Sequence, residues 1–341
     1  MNEVTAKNTY SKIGFTYIGM YWVYVACLAL LLLLKNLLLS EASLGSQALN
    51  LIDFVLRFLI IYPAMYLLIR KLPKFDIEKK KIGVGGFIAC LLITAFLMYS
   101  ANIIGMILNS LIGKITGNGG VNPIANVVDD ISPGLMMLIG AVIAPVWEEL
   151  LFRKFLIDRV RNYGEVTAML MSGIMFGLYH ANFAQAIYAC AMGCFWAFIY
   201  MRTGKIHITI ALHMLINGFS LYLSKFMLRG ISISEMQGYL LNGDMEGYMR
   251  FIQDNMAVMV SVVAVGMFVI LAIIVGLILA IVLRKKFVFE HHEGEIAKGN
   301  RFKTAVLNPG MLLYVIFLIV AIVTTQLGIN LVDSFLNRLG G

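Results

Sequence analysis

Charge is scarce in this sequence: of 341 residues, 19 are acidic and 27 basic, 13% in all, while 60% are apolar. So few charged groups cannot solvate the surface of a soluble chain, and the composition reads as a polytopic membrane protein. Cysteine is scarce too, and Cys27, Cys90, Cys190 and Cys194 all fall within apolar runs, where a thiol behaves as a small hydrophobe. No disulfide framework is implied. Also absent is any His-Glu-x-x-His run, the helical zinc signature of many metalloproteases. The net charge of +8 is not gathered into one patch, as nucleic-acid binding would need, but spread over the ends of apolar runs. The expected surroundings are a lipid bilayer, with no nucleic-acid partner.

What the chain has in abundance is apolar runs near the roughly 20 residues a helix needs to cross a bilayer. Nine can be traced, at 13–34, 54–69, 82–112, 135–157, 166–180, 184–201, 208–223, 258–283 and 311–327. The expected fold is all-α, a polytopic membrane bundle of about eight to nine transmembrane helices. Basic clusters at 70–81, 153–161, 202–205 and 284–303 mark cytoplasmic loops by the positive-inside rule. Alternation then puts the N-terminus inside and the C-terminus outside a cell membrane, read as a bacterial cytoplasmic membrane. The first run is longer than the apolar part of a signal peptide and reads as an uncleaved span.

The first two runs hold Tyr17, Tyr21, Trp22, Tyr24 and Tyr62, aromatics of the kind that anchor at interfaces, and nothing chemically suggestive. Gly117, Gly119 and Gly120 with Asn122 and Pro123 read as a flexible outer loop, followed by Asp129 and Asp130, before Pro133 opens the next helix. Residues 225–254 form the longest polar segment, with room for two short surface helices, and Ser234 and Gln237 stand at capping-box spacing. His291 and His292, flanked by Glu290 and Glu293, read as part of a solvated loop rather than a metal site. The last two runs carry no ionisable residue at 258–283 or 311–325, as expected of packing or lipid-facing helices.

One stretch breaks the apolar pattern at its centre. Glu148, Glu149 and Arg153 lie inside the run 135–157, where a charged side chain costs on the order of 3 kcal/mol. At helical spacing Glu149 and Arg153 are i and i+4, carboxylate first, the better order for an ion pair. Glu148 is rotated about 100° away and faces another surface. A pair that merely locks two helices would account for Glu149 and Arg153 and leave Glu148 unexplained.

Tyr163-Gly164 is a turn signal, and Glu148 and His180 each lie sixteen residues from Gly164. In a helical hairpin the two side chains come to a similar depth. Phe176 shares the face of His180, and Gly173 with Gly177 form a small-xxx-small pattern that lets backbones approach closely. After the break at Thr203-Gly204, His213 and Asn217 share one helix face. Two such donors converging on one point can hold an oxyanion; an interhelical polar clasp is the alternative. Cys190 and Cys194 share a face as well and read as packing.

Taken in order, Glu148-Glu149-x-x-x-Arg153, Phe176-x-x-x-His180 and His213-x-x-x-Asn217 resemble the three motifs of the CAAX prenyl protease and bacteriocin-processing family, also called the Abi family. The resemblance covers residues 133–223. It implies an intramembrane endopeptidase of the glutamate type, with no cofactor and no metal. Glu148 with His180 would activate water, Glu149 would be a supporting carboxylate beside Arg153, and His213 with Asn217 would stabilise the tetrahedral intermediate. Phe176 would support the imidazole. The implied partner is a membrane-associated peptide or protein, in peptide maturation or bacteriocin immunity. The chain then divides into N-terminal spans (1–132), catalytic core (133–223), a polar extracytoplasmic loop (224–256) and two C-terminal spans (257–341). Two rival classes stay open: a non-catalytic immunity or scaffold protein, and a transporter with the Glu, His and Arg cluster as proton relay.

Overall fold

The computed structural model describes residues 3–38, 46–116, 132–228 and 231–327. Among them every regular element is helical. Among the described residues seven helical segments are long and apolar enough to cross a membrane, and two shorter apolar helices complete the nine runs read from the sequence. The chain is a multi-pass membrane protein. The outer loop expected at residues 117–130 lies outside the described residues.

The first span, α1 (Glu3–Leu38), runs beside the last, α15 (Pro309–Gln326). The second is α2 (Ser46–Val55), a π-helical turn over Leu56–Ile61, and α3 (Tyr62–Ile69). The third is α4 (Val84–Thr116). The fourth is a rod of α5 (Pro133–Leu138), α6 (Ala144–Glu149) and α7 (Leu156–Val160), joined by π-turns over Ile139–Ile143 and Leu150–Phe155. Two of these π-turns end just before a proline, Pro63 or Pro145. Proline cannot donate to the carbonyl four residues back, so the helical ladder loosens locally. The glutamate pair thus sits in a short α-helical segment between two widened turns.

Next come α8 (Glu165–Tyr179), α9 (Phe183–Thr203) and α10 (Ile206–Tyr222). The turns around them fall at Gly164 (φ 136°) and Gly204 (φ 60°), backbone conformations that suit glycine. As the small-xxx-small pattern predicts, α8 and α9 touch backbone to backbone: a Cβ on Gly177 would lie 2.5 Å from the Ala186 carbonyl oxygen. Two short helices follow in the polar segment, α11 (Ile233–Leu241) and α12 (Met245–Asp254). The cap of α11 is Ser232, whose hydroxyl accepts from the Glu235 N–H at 3.1 Å, so the helix starts two residues earlier than the Ser234–Gln237 spacing implies. Then α13 (Met256–Val282) packs along α4, and α14 (Arg301–Ala305) leads into α15.

Tyr17 and Tyr62 are not interface anchors; both are fully buried. Their burial has a structural reason in the first case. The Tyr17 hydroxyl donates to the Leu151 carbonyl at 2.6 Å, and Ser172 donates to Phe152 at 2.7 Å, both on the π-turn after the glutamates. Carbonyls freed by that turn are thereby satisfied inside the bilayer, where an unpaired one is expensive.

Gly310 sets the approach of α15 to α1, because a Cβ there would collide with the Ser11 carbonyl. Gly310→Ala should cost about 1–3 kcal/mol through overpacking. The measurement is the thermal midpoint in detergent, and an unchanged midpoint would show that the two helices separate freely.

The four basic clusters meet at one end of the bundle. Arg159 Nε donates to the Ile69 carbonyl at 2.8 Å, and the Lys80 N–H donates to Thr203 at 2.9 Å. Glu165 and Glu290 are each held by both Arg161 and Arg202. His292 is not solvated as expected: the loop folds back and puts its Nε2 3.4 Å from Glu165, while His291 stays exposed against Glu295.

Candidate active site

Helices α6, α8 and α10 converge on a cavity of about 540 Å³ lined by Glu148, Phe176, His180, His213 and Asn217. Glu149 and Arg153 sit behind its wall, both with no exposed side-chain surface. Sequence spacing and structure therefore agree on which carboxylate faces inward to the protein and which faces open space.

Arg153 Nε lies 3.2 Å from Glu149 Oε2, at an angle that makes an ion contact rather than a hydrogen bond. None of the three guanidinium nitrogens has a hydrogen-bond partner among the described residues. What else holds the cation is aromatic. The guanidinium carbon is 4.3 Å from the centre of the Phe176 ring and 5.3 Å from that of Trp196, and a desolvated contact of this kind is worth about 2 kcal/mol. Phe176 therefore supports Arg153 as well as the imidazoles, packing edge-on to His180 at 4.9 Å and to His213 at 5.8 Å.

His213 is buried and bridges the two glutamates: Nδ1 is 3.0 Å from Glu149 Oε1, and Nε2 is 3.6 Å from Glu148 Oε2. The ion-paired Glu149 carboxylate accepts, so Nδ1 carries a proton, and Nε2 is the nitrogen that faces Glu148. This differs from the pairing of His213 with Asn217 expected from their shared face. Asn217 instead donates one amide hydrogen to the Gly140 carbonyl, 3.0 Å away on the π-turn before the glutamates. Its second N–H has no such partner in the described residues and is the one available to a ligand.

His180 ends α8 with Nδ1 2.8 Å from the Phe176 carbonyl oxygen. A carbonyl can only accept, so Nδ1 is protonated and Nε2 is free to accept in turn. The next residue, Ala181, has φ 51°, an uncommon conformation for a residue with a side chain and a local strain of the kind found at functional sites. Asn182 braces this corner. Its side chain donates to the His180 carbonyl at 3.0 Å and caps α9 by accepting from Gln185 N–H at 2.9 Å. Asn182 was absent from the sequence reading, although an Asn directly before an apolar helix is a recognisable cap signal.

Residues 130–219 match the family model for type II CAAX prenyl endopeptidase Rce1-like proteins. Over that stretch the chain is similar to the proteins of that family. Among curated proteins, Putative membrane peptidase YdiL of Bacillus subtilis (strain 168) is 27% identical over 176 residues, covering 48% of this chain and 68% of that protein. No solved structure matches significantly. The family match spans both glutamates, both imidazoles and Asn217, and with the relative it makes the chain similar to membrane peptidases of the CAAX endopeptidase-like kind.

A second charged pair lines the same cavity and escaped the sequence reading. Asp53 and Arg57 come from the second span, which appeared chemically silent. Arg57 lies within the apolar run 54–69, where a charged side chain is as costly as at Arg153. Elsewhere in the described residues, a carboxylate and imidazole set close enough to share a metal is Glu165, Glu290 and His292. Arg161 and Arg202 already occupy those carboxylates, so the set does not fit a metal site.

Proposed function

We propose that the cavity hydrolyses a peptide bond of a membrane-associated peptide or protein through water activated by Glu148 and His180. The observation that carries this reading is the lining of one cavity by an accessible carboxylate and an imidazole whose free nitrogen is an acceptor. A water has two O–H groups, and these two acceptors can orient both. Glu148 takes the proton as the water oxygen attacks the carbonyl carbon, then delivers it to the leaving nitrogen. The free N–H of Asn217 is placed to donate to the developing oxyanion, a contribution of several kcal/mol in a dry site. His213 acts through Glu148, and it can donate to the oxyanion only when its Nε2 carries a proton. The biological setting we favour is peptide maturation or bacteriocin immunity, with the basic end of the bundle and the N-terminus in the cytoplasm.

The direct test is incubation of the purified protein with a peptide library, with products read by mass spectrometry. Discrete cleavage products are expected. Flux across proteoliposomes without any product would instead establish the transporter reading.

His180→Ala should lower the rate of cleavage roughly 10²–10⁴-fold, the usual contribution of a positioned acid–base group. Wild-type rates in that variant would show that water is oriented without the imidazole.

Metal dependence is a separate test, since one Glu and two His could in principle form a catalytic zinc set. His213 has Asn217 at i+4, an amide that ligates zinc poorly. Its Nδ1 is already engaged with Glu149. Enzyme stripped with chelator is expected to keep its activity in metal-free buffer. Loss restored by stoichiometric zinc would reassign the water to a metal.

A further inference from the structure

We infer that Arg57 anchors a carboxylate of the substrate in the catalytic cavity, and so selects which peptides are cleaved. The inference rests on the cavity being the peptide site. Arg57 and Asp53 line it together with Glu148 and His180. The pair is asymmetric in what it has left to offer. Arg57 Nη2 lies 3.1 Å from both oxygens of Asp53 and 2.5 Å from the Tyr24 hydroxyl. The Tyr24 hydroxyl in turn donates to Asp53 Oδ1. Both carboxylate oxygens of Asp53 are therefore engaged, while the guanidinium has used one nitrogen of three. Nε is buried without a partner, and Nη1 makes no hydrogen bond in the described residues yet is not among the buried atoms. Surplus donors on a half-exposed cation call for an acceptor, preferably an anionic one.

A purely structural clasp leaves this surplus unexplained. Arg57 Cζ lies over Tyr24 at 4.7 Å from the ring centre and its Nη2 donates to the Tyr24 hydroxyl, which ties α1 to the second span without engaging Nη1. Asp53 and Tyr24 hold the side chain in place and leave Nη1 free. An amine or cationic side chain is the poorer fit, because the Asp53 oxygens that would accept from it are occupied.

A peptide carboxylate can be the chain terminus or an acidic side chain. The probe is therefore one peptide pool of defined length made in four forms, with free-acid or amidated C-termini, each with and without internal Asp and Glu. The pool is equilibrated with the full-length protein in detergent, in wild type, Arg57→Lys, Arg57→Gln and the neutral pair Asp53→Asn with Arg57→Gln, which guards against misfolding from an orphaned Asp53. Retained peptides and cleaved products are both read by mass spectrometry. Wild type should retain carboxylate-bearing members roughly 10-fold or more over their neutral counterparts, as a charge-assisted hydrogen bond allows. Arg57→Lys should keep part of that preference, and both glutamine variants should lose it. Enrichment confined to free-acid members identifies the terminus, and enrichment following Asp or Glu identifies a side chain. Equal retention of all four forms by wild type, or a preference that survives in the neutral pair, overturns the inference. Retained preference without any cleavage would sink the peptidase reading and leave the anchor standing.

Discussion

Glu148→Gln should abolish cleavage and leave the protein folded. Glutamine keeps the volume and one acceptor oxygen, so the cavity wall and the contact toward His213 Nε2, 3.6 Å from the carboxylate in the native chain, are preserved. What is lost is the capacity to take a proton from water and return it to the leaving amine. General-base steps contribute roughly 10²–10⁴-fold each, and the proposed mechanism gives both transfers to this one residue, so the upper end of that range is expected. The cost in stability should be small, because the side chain is partly open to the cavity and is not the partner of Arg153. Product formation by mass spectrometry, set beside an unchanged thermal midpoint, checks both halves. Near-normal turnover would remove Glu148 from the mechanism.

The residues that could be read from sequence are those whose placement violates a solvent rule. Glu148, Glu149 and Arg153 are conspicuous because charge is expensive in a bilayer, and the nine runs are visible because hydrocarbon demands them. Helical periodicity also separates the cavity-facing Glu148 from the buried Glu149, since that is a property of one helix alone. Partnerships between helices obey no such local rule. The shared face of His213 and Asn217 says which way they point from α10, but the groove they enter is set by how α10 docks on the rod. Docking against the π-turn over Ile139–Ile143 sends Asn217 to the Gly140 carbonyl and His213 to the glutamates one stretch further on. No spacing rule predicts a π-turn here, although Pro145 marks where the ladder must loosen. His292 is obscure for a similar reason. Its polar neighbours read as a solvated loop until two arginines from distant segments draw that loop over Glu165. Arg57 is different, because its signal was present in the same form as that of Arg153.

The buried pair behind the wall should respond to substitution in a way that separates folding from chemistry. Arg153→Met removes the cation and leaves the Glu149 carboxylate with no exposed surface and only the His213 and Thr209 side chains beside it. Breaking a buried ion pair from one side costs about 3–5 kcal/mol, so a large drop in thermal midpoint or loss of the folded protein is expected. Glu149→Gln alone should be comparably damaging, since Arg153 has no hydrogen-bond partner among the described residues. Combining the two changes removes both charges. Methionine then fills the space between Phe176 and Trp196, where a thioether makes favourable aromatic contacts, and glutamine can still accept from His213 Nδ1–H. Replacing such a pair by groups of similar volume is often neutral or stabilising, so the double variant should recover most of the midpoint. Activity should not recover with it. A neutral amide holds the His213 Nδ1–H more weakly than a carboxylate does, so the imidazole facing Glu148 is positioned less firmly. A folded, slow double variant is the predicted result. Full activity in that variant would show that the charge on Glu149 serves packing alone, and an unchanged midpoint in Arg153→Met would show that the pair contributes nothing to the fold.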